Sequence, residues 1–413
     1  MTHPIEAFAS RLRTTLAQTT ETLELGGRWP EAIPLEGLIA IMLVVLAAVT
    51  VALIAAIPIV LVLMERKVSA YFQDRLGPTR VGPWGVLVTL ADGIKLLFKE
   101  DLIPPQADKL LFRLAPYVVF GSSFAVVAVL PPFQSTVIGN LQLGLFIYLA
   151  VSSLVVLGII MAGWSSNSKY SLFGALRGAA QIVSYEIPLG LSALMIVMTA
   201  GTLNMQHLVM DQVGGIHHWY MFRHPFLFVG AWIYFISAIA EVNRTPFDLP
   251  EAESEIVAGF HTEYSGLRFA YFFLAEYANV FVVSGICVAL FMGGWSSPIP
   301  GFHAIPGIVW FVGKVFVLVF MMMWIRWTVP RVRVDQLMAV CWKYLLPISF
   351  VNIIGTGVVV LLEREQLGVE IAGMFIGVGA LMWAVAPVML LILGALAFSG
   401  TEPVARRSPA VGG

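Results

Sequence analysis

The amino-acid sequence predicts an all-α polytopic membrane protein with about nine transmembrane helices, and three observations predict it. Of its 413 residues, 59% are hydrophobic and only 12% are charged, where a soluble domain carries about 25% charged residues. Apolar runs recur at the length that crosses a bilayer as a helix, roughly 20 residues. Basic residues gather on alternate connections between those runs, the pattern that marks cytoplasmic loops.

Taken in order, residues 1–35 form an N-terminal extension expected outside; they lack the basic segment, apolar core and small-residue cleavage site of a signal peptide. Apolar runs follow at about 36–63, 114–133, 141–162, 179–201, 225–241, 268–294, 305–327, 344–362 and 370–398, so residues 36–398 make the membrane domain. Residues 399–413 form a cytoplasmic tail. The connections at 134–140, 295–304 and 363–369 are short, whereas 64–113 and 242–267 are long and hold most of the charge. Of 24 Lys and Arg, 18 fall on one side of this topology, eight of them in 64–113 and two, Arg406 and Arg407, in the tail. That side is therefore cytoplasmic, the N-terminus lies outside, and the chain is a multi-pass protein of a cell (inner or plasma) membrane.

Within the first long connection, Trp84–Asp101 reads as an interfacial amphipathic helix. Leu87, Leu90, Ala91, Ile94, Leu97 and Phe98 recur at i, i+3, i+4, i+7, i+10 and i+11, which places them on one face. Thr89, Asp92, Lys95 and Lys99 lie largely off it. Such a helix lies on the membrane rather than across it, either as a structural lid or as the wall of a site entered from the lipid.

Composition also excludes chemistry. Two cysteines, Cys287 and Cys341, cannot alone ligate an iron–sulfur cluster or a structural zinc. His207, His217, His218 and His224 share one outside connection but form no His-x-x-x-His pair, so a solvated loop is favoured over a metal site. No Gly-x-Gly-x-x-Gly fingerprint follows a strand. The chain carries no redox centre of its own, and electrons must arrive from a partner.

Acids inside apolar spans point to function. Residues 109–185 contain no Asp or Glu, so Glu186 in QIVSYEIPLG stands alone. It lies about seven residues into its run, roughly 10 Å deep at 1.5 Å per residue. Glu276 lies at similar depth in its own run, Glu241 closes the span between them, and Glu65 closes the first. Four carboxylates from four spans are expected to converge in the cytoplasmic half. Ionisable groups are expensive there and mark ion or proton pathways. The bland reading, a carboxylate tied to an Arg, is strongest for Glu65, beside Arg66 and Lys67, and weakest for Glu186. Pro188 is expected to disturb its helix and free a carbonyl for water or a side chain. Between Ala240 and Asn279 lie seven acids, four of them from Asp248 to Glu255.

Several long segments resemble one family. They are ERKVSAYFQDRLGPTRVGPWG (65–85), ADGIKLLFKEDLIPP (91–105), SYEIP (184–188), AEVNRTPFDLPEAESEIVAGFHTEYSG (240–266), FFLAEYAN (272–279) and RWTVPRVRVDQLM (326–338). From about residue 36 to 350 the chain is similar to the family of H-type membrane subunits of respiratory complex I, the proton-pumping NADH:quinone oxidoreductase. The resemblance implies a membrane component that forms the quinone chamber and starts the acidic path coupling quinone reduction to proton translocation. It implies that Arg66, Arg75, Asp92, Lys95, Lys99 and Glu65 sit at the chamber. It further implies that Glu186, Glu241, Glu276, Glu251, Glu253, Glu255 and Glu263 serve the proton path and coupling. Quinone is then a substrate, and nothing is bound covalently. NADH, FMN and Fe–S clusters belong to partner subunits, and the neighbours are other membrane subunits, the soluble quinone-site subunits and lipid, with no nucleic acid. The sequence departs from the family at the 141–162 span, which has no acid where some relatives carry one.

Competing readings are a membrane component of proton-pumping hydrogenases, which shares the acidic loop, and a secondary transporter. The continuous first-loop motif with Arg66 and Arg75 favours the quinone enzyme. The absence of an internal repeat in the sequence disfavours a transporter. A purely structural anchor has no need of Glu186 or Glu276.

Overall fold

The computed structural model describes residues 35–131, 141–300, 305–365, 368–371, 374–377 and 382–383. Its main helices are α1 (Leu35–Phe72), α2 (Val88–Phe98), α3 (Lys109–Val127), α4 (Gly144–Ser165) and α5 (Lys169–Ala200). They continue as α6 (Pro225–Glu241), α7 (Gly266–Phe291), α8 (Gly307–Thr328) and α9 (Val334–Arg364). Of these, α3, α4, α5, α7, α8 and α9 are long and apolar enough to cross a membrane, and α6 is apolar but has only 17 residues. With its 38 residues, α1 covers the first expected run and continues past it to Phe72.

The expected nine spans are therefore not reached among the described residues. Eight of the nine runs fall in helices; the ninth, 370–398, starts differently. Residues Gly368–Ile371 (β1) and Met374–Gly377 (β2) pair antiparallel, with Gly368 opposite Gly377, so the described fold is helical but not purely so. Val369, Ile371 and Ile376, β-branched and flanking an Ala-Gly pair in sequence, suit strands as well as they suit an apolar span. The N-terminal extension and the cytoplasmic tail lie outside the described residues.

Local chemistry sets the helix ends. Asp108 accepts from the Leu110 and Leu111 N–H groups at 3.1 and 3.4 Å and starts α3, the usual N-cap role of an aspartate. Pro225 opens α6, where its missing N–H costs nothing, and Gly201 at φ 73 ends α5. At the centre stands α7: 78% of its apolar window is buried, against 28–50% for the other five. It packs on α1, α3, α6 and α8. A second core joins α3, α4 and α5 to the 242–265 connection, where Phe112 stacks on Tyr264 with ring centroids 4.0 Å apart. This places the acid-rich connection against the end of the bundle instead of leaving it as a free loop.

Candidate functional site

A cavity of about 220 Å³ lies where α1, α6, α7 and α8 meet that connection. Its lining includes Glu65, Glu241, Glu276, Arg244, Asp248 and Arg326. Glu65 comes from α1, Glu241 is the last residue of α6, and Glu276 sits within α7. Arg244 arrives from the turn after α6, where Asn243 adopts φ 54 and folds the chain back.

The guanidinium of Arg244 bridges two of these acids. Its Nη1 donates to both carboxylate oxygens of Glu65, at 3.0 and 3.2 Å, and Nη2 lies 3.1 Å from Glu276 Oε1. The Tyr277 ring sits beneath it, 4.1 Å from centroid to Cζ. Arg326 of α8 also pairs with Glu65. Burial works against the charge on Arg244, but Glu276 and then Glu65 outweigh it and raise its proton affinity well above the ordinary value. It is therefore a fixed positive charge between two carboxylates. At the cavity rim Asp248 pairs with Arg331 at 2.8 Å. Burial nevertheless raises the proton affinity of that carboxyl. His261, 3.9 Å from Glu251, is pushed by burial toward its neutral form.

Three of the four in-span carboxylates thus line one cavity. Glu186 does not. Its helix starts at Lys169, ten residues before the apolar run, so Glu186 lies near the middle of the 32-residue α5 and half-buried. Glu65 is tied to arginine, as its bland reading held, yet to Arg244 and Arg326 instead of its neighbours Arg66 and Lys67. Lys67 turns away and donates to the Pro78 carbonyl at 2.7 Å. Glu241 Oε2 is buried with no hydrogen-bond partner. Glu241 also lines a second cavity of about 10 Å³ that reaches Tyr148 on α4. The Tyr148 hydroxyl is 3.2 Å from that of Tyr234 on α6, so α4 supplies a buried phenol where its span has no acid.

Other expected site residues are placed elsewhere. Glu251 lines the large cavity. Glu255 is exposed and pairs with Arg177 at 2.6 Å, Glu263 is half-buried outside the lining, and the Glu253 side chain lies outside the described residues. In the first connection Arg66 pairs with Asp92 at 2.8 Å, and Lys95 with Asp92 at 3.4 Å. Arg75 and Lys99 are exposed and apart from that cluster. The helix there, α2, follows a short turn at Pro83–Gly85 and is shorter than the expected 84–101. It turns Thr89 and Asp92 toward the protein, while Leu90, Ile94, Leu97 and Phe98 stay exposed.

Pro188 frees a carbonyl as expected but does not interrupt its helix, since α5 runs unbroken from Lys169 to Ala200. Lacking an N–H, it leaves the Ser184 carbonyl one turn back without its helical donor, and the thiol of Cys341 donates to that oxygen at 3.1 Å. Residues Val340–Leu345 around Cys341 are π-helical. Among the described residues no group of three or more His, Cys, Asp or Glu is placed to hold a metal.

The reading of acids alone missed Arg244, Arg326 and Tyr277. A signal existed for the first: Arg244 follows Glu241 by three residues, close enough for one turn to bring both to the same place.

Comparisons with known proteins give the family of the chain. A family model described as NADH dehydrogenase matches residues 42–357. A protein of Chlorobaculum tepidum is 49% identical over 306 residues, which cover 71% of this chain and 85% of the relative. One of Brevibacillus brevis is 51% identical over 296 residues, covering 72% and 86%. One of Anaeromyxobacter dehalogenans is 48% identical over 336 residues, covering 76% and 81%. All three are named as the H-type subunit of NADH-quinone oxidoreductase.

Proposed function

The chain belongs to the NADH dehydrogenase family, with the H-type subunits of NADH-quinone oxidoreductase, and from that premise we propose that it couples quinone reduction to proton movement. The observation that carries the reading is the bridge Glu65–Arg244–Glu276 on a cavity that Glu241 also lines. A guanidinium shared by two carboxylates makes each acid's proton affinity depend on the other. Adding charge near one end shifts the Arg244 contact and changes the cost of charge at the other. Reduction of quinone next to Arg66, Asp92 and Lys95 supplies such a change. Two protons are taken up with two electrons at the quinone ring, and the local carboxylates must rebalance. The outward apolar face of α2 (Leu90, Ile94, Leu97) suits an isoprenoid tail, and the Arg66–Asp92–Lys95 cluster a polar head group. Electrons come from partner subunits that oxidise NADH through flavin and iron–sulfur clusters; this chain supplies the membrane wall and the acids. From Glu241 the path runs toward Glu186 and the Tyr148–Tyr234 hydroxyls.

The test is Glu276→Gln and Glu241→Gln in the whole complex reconstituted in sealed vesicles. Each replacement keeps the shape and removes the titratable proton. Protons moved per NADH oxidised are expected to fall while electron transfer from NADH to an artificial hydrophilic acceptor stays at its normal rate. Normal pumping in both variants overturns the reading.

A further inference from the structure

Gln181 touches none of these acids, yet it holds the backbone on which two members of the site stand. It is 1% exposed on α5. Its Nε2 donates to the Ala240 carbonyl at 2.7 Å, the Phe247 carbonyl at 2.8 Å and Asn243 Oδ1 at 3.2 Å. An amide has two N–H protons, so three acceptors share them. The Ala240 carbonyl lies just before Glu241 and the Phe247 carbonyl three residues past Arg244, so one side chain fixes the backbone on both sides of the turn that presents acid and guanidinium, and it holds the Asn243 side chain within the turn. Asn243 at φ 54 sits in the left-handed region that asparagine tolerates best after glycine, and the Gln181 amide holds its side-chain oxygen there.

The same face of α5 receives the rest of the connection. Ser171 donates to the Phe260 carbonyl at 2.9 Å. A Cβ on Gly174 would meet Gly259 Cα at 2.6 Å, and one on Gly178 would meet Pro250 Cβ at 3.2 Å. Positions 171, 174, 178 and 181 recur at i, i+3, i+7 and i+10, one helical stripe. The acidic connection is laid directly on α5 with no larger side chain between them, and Glu186 lies on the same helix, two residues before Pro188.

We infer that Gln181 is a positioning residue for coupling: it registers the acidic connection on α5, so that the Glu65–Arg244–Glu276 bridge and the turn after Glu241 shift only together with the helix that carries Glu186. This rests on the proton-path reading proposed above.

The experiment compares Gln181→Met, which removes the donors but keeps length and apolar bulk, with Gly178→Ala, which presses on the same connection at Pro250 one turn away. Both are measured in the whole complex in sealed vesicles beside Glu276→Gln. A residue that only aids packing would lower the amount of assembled complex without changing how each assembled complex works. Per assembled complex, Gln181→Met is expected to lower quinone reduction by up to about a hundredfold, the scale on which a group misplaced by about 1 Å loses rate. It is also expected to displace the pH profile of quinone reduction and lower the protons moved per NADH. Artificial-acceptor rates stay normal. Gly178→Ala is expected to displace the same profile in the same direction by less, and it decides the matter if Gln181→Met does not assemble. An unchanged pH profile and proton ratio in assembled Gln181→Met, or in Gly178→Ala where only that variant assembles, overturns the inference while Glu276→Gln still loses pumping. If Glu276→Gln also pumps normally, the proton-path reading falls and this inference falls with it.

Discussion

Arg244 shows how one residue governs several others. Its charge is buried, and three contacts hold it: Glu65, Glu276 and the Tyr277 ring. Removing one member of a buried ionic group leaves its partners uncompensated, at a cost of about 3–5 kcal/mol. Arg244→Leu is therefore expected to reduce sharply the assembled membrane arm seen on native gels. Arg244→Lys, which keeps the charge but loses the forked geometry, is expected to restore much of that assembly and little of the coupling. A second buried residue makes a pH prediction. His224 caps α6, its Nδ1 accepting from the Leu227 N–H at 3.4 Å, and burial first, then Arg223, push its imidazole down to about 4. Its folded value is below the unfolded one of about 6.5, so the stabilisation is complete above that pH and is lost as pH falls toward about 4. The loss is on the order of 3 kcal/mol. Thermal unfolding of the wild-type complex is expected to move to lower temperature across that window. His224→Asn, a cap that does not titrate there, is expected to flatten the dependence; an equal slope in both proteins would remove His224 as its cause.

At the scale of elements, α2 leaves a large apolar surface uncovered. It turns Val88, Thr89, Asp92 and Leu96 toward the bundle, and Leu90, Ile94, Leu97 and Phe98 stay exposed beside Lys95. Such an arrangement is favourable only where the outside is lipid, an isoprenoid tail or a partner. Ala91 lies exposed beside that face. Ala91→Phe is expected to raise the apparent KM for a long-tailed quinone more than for a short-tailed analogue, with the artificial-acceptor rate intact. Equal slowing with both quinones would make α2 an assembly element instead of a chamber wall.

Across the whole molecule, the two long connections form one face. Ser265 Oγ donates to the Glu100 carbonyl at 3.1 Å and accepts from the Leu102 N–H at 3.1 Å. Arg268 pairs with Asp101 at 2.9 Å. A fused surface of mixed charge with exposed Leu76 and Trp84 fits a docking platform for soluble electron-transfer subunits. Cross-linking from residues 73–87 and 253–258 in native membranes is expected to capture one of them. Links found only to lipid or to proteins of the opposite side would contradict it.

Composition and periodicity by themselves determined the membrane class, the positions of eight helices and the freed carbonyl near Pro188, because each depends on residues within one or two turns of each other. They did not reveal the hairpin at 368–377, where an apolar run satisfies strand and span alike. Only the tertiary structure decided which acids belong together. Glu65 passes over Arg66 and Lys67 beside it and pairs with Arg244 and Arg326, 179 and 261 residues away. The reason is geometric: successive residues of a helix point about 100° apart, so a carboxylate facing the bundle interior cannot meet a neighbour one or two places on. It takes its partners from whichever helices and turns the packing brings to that face.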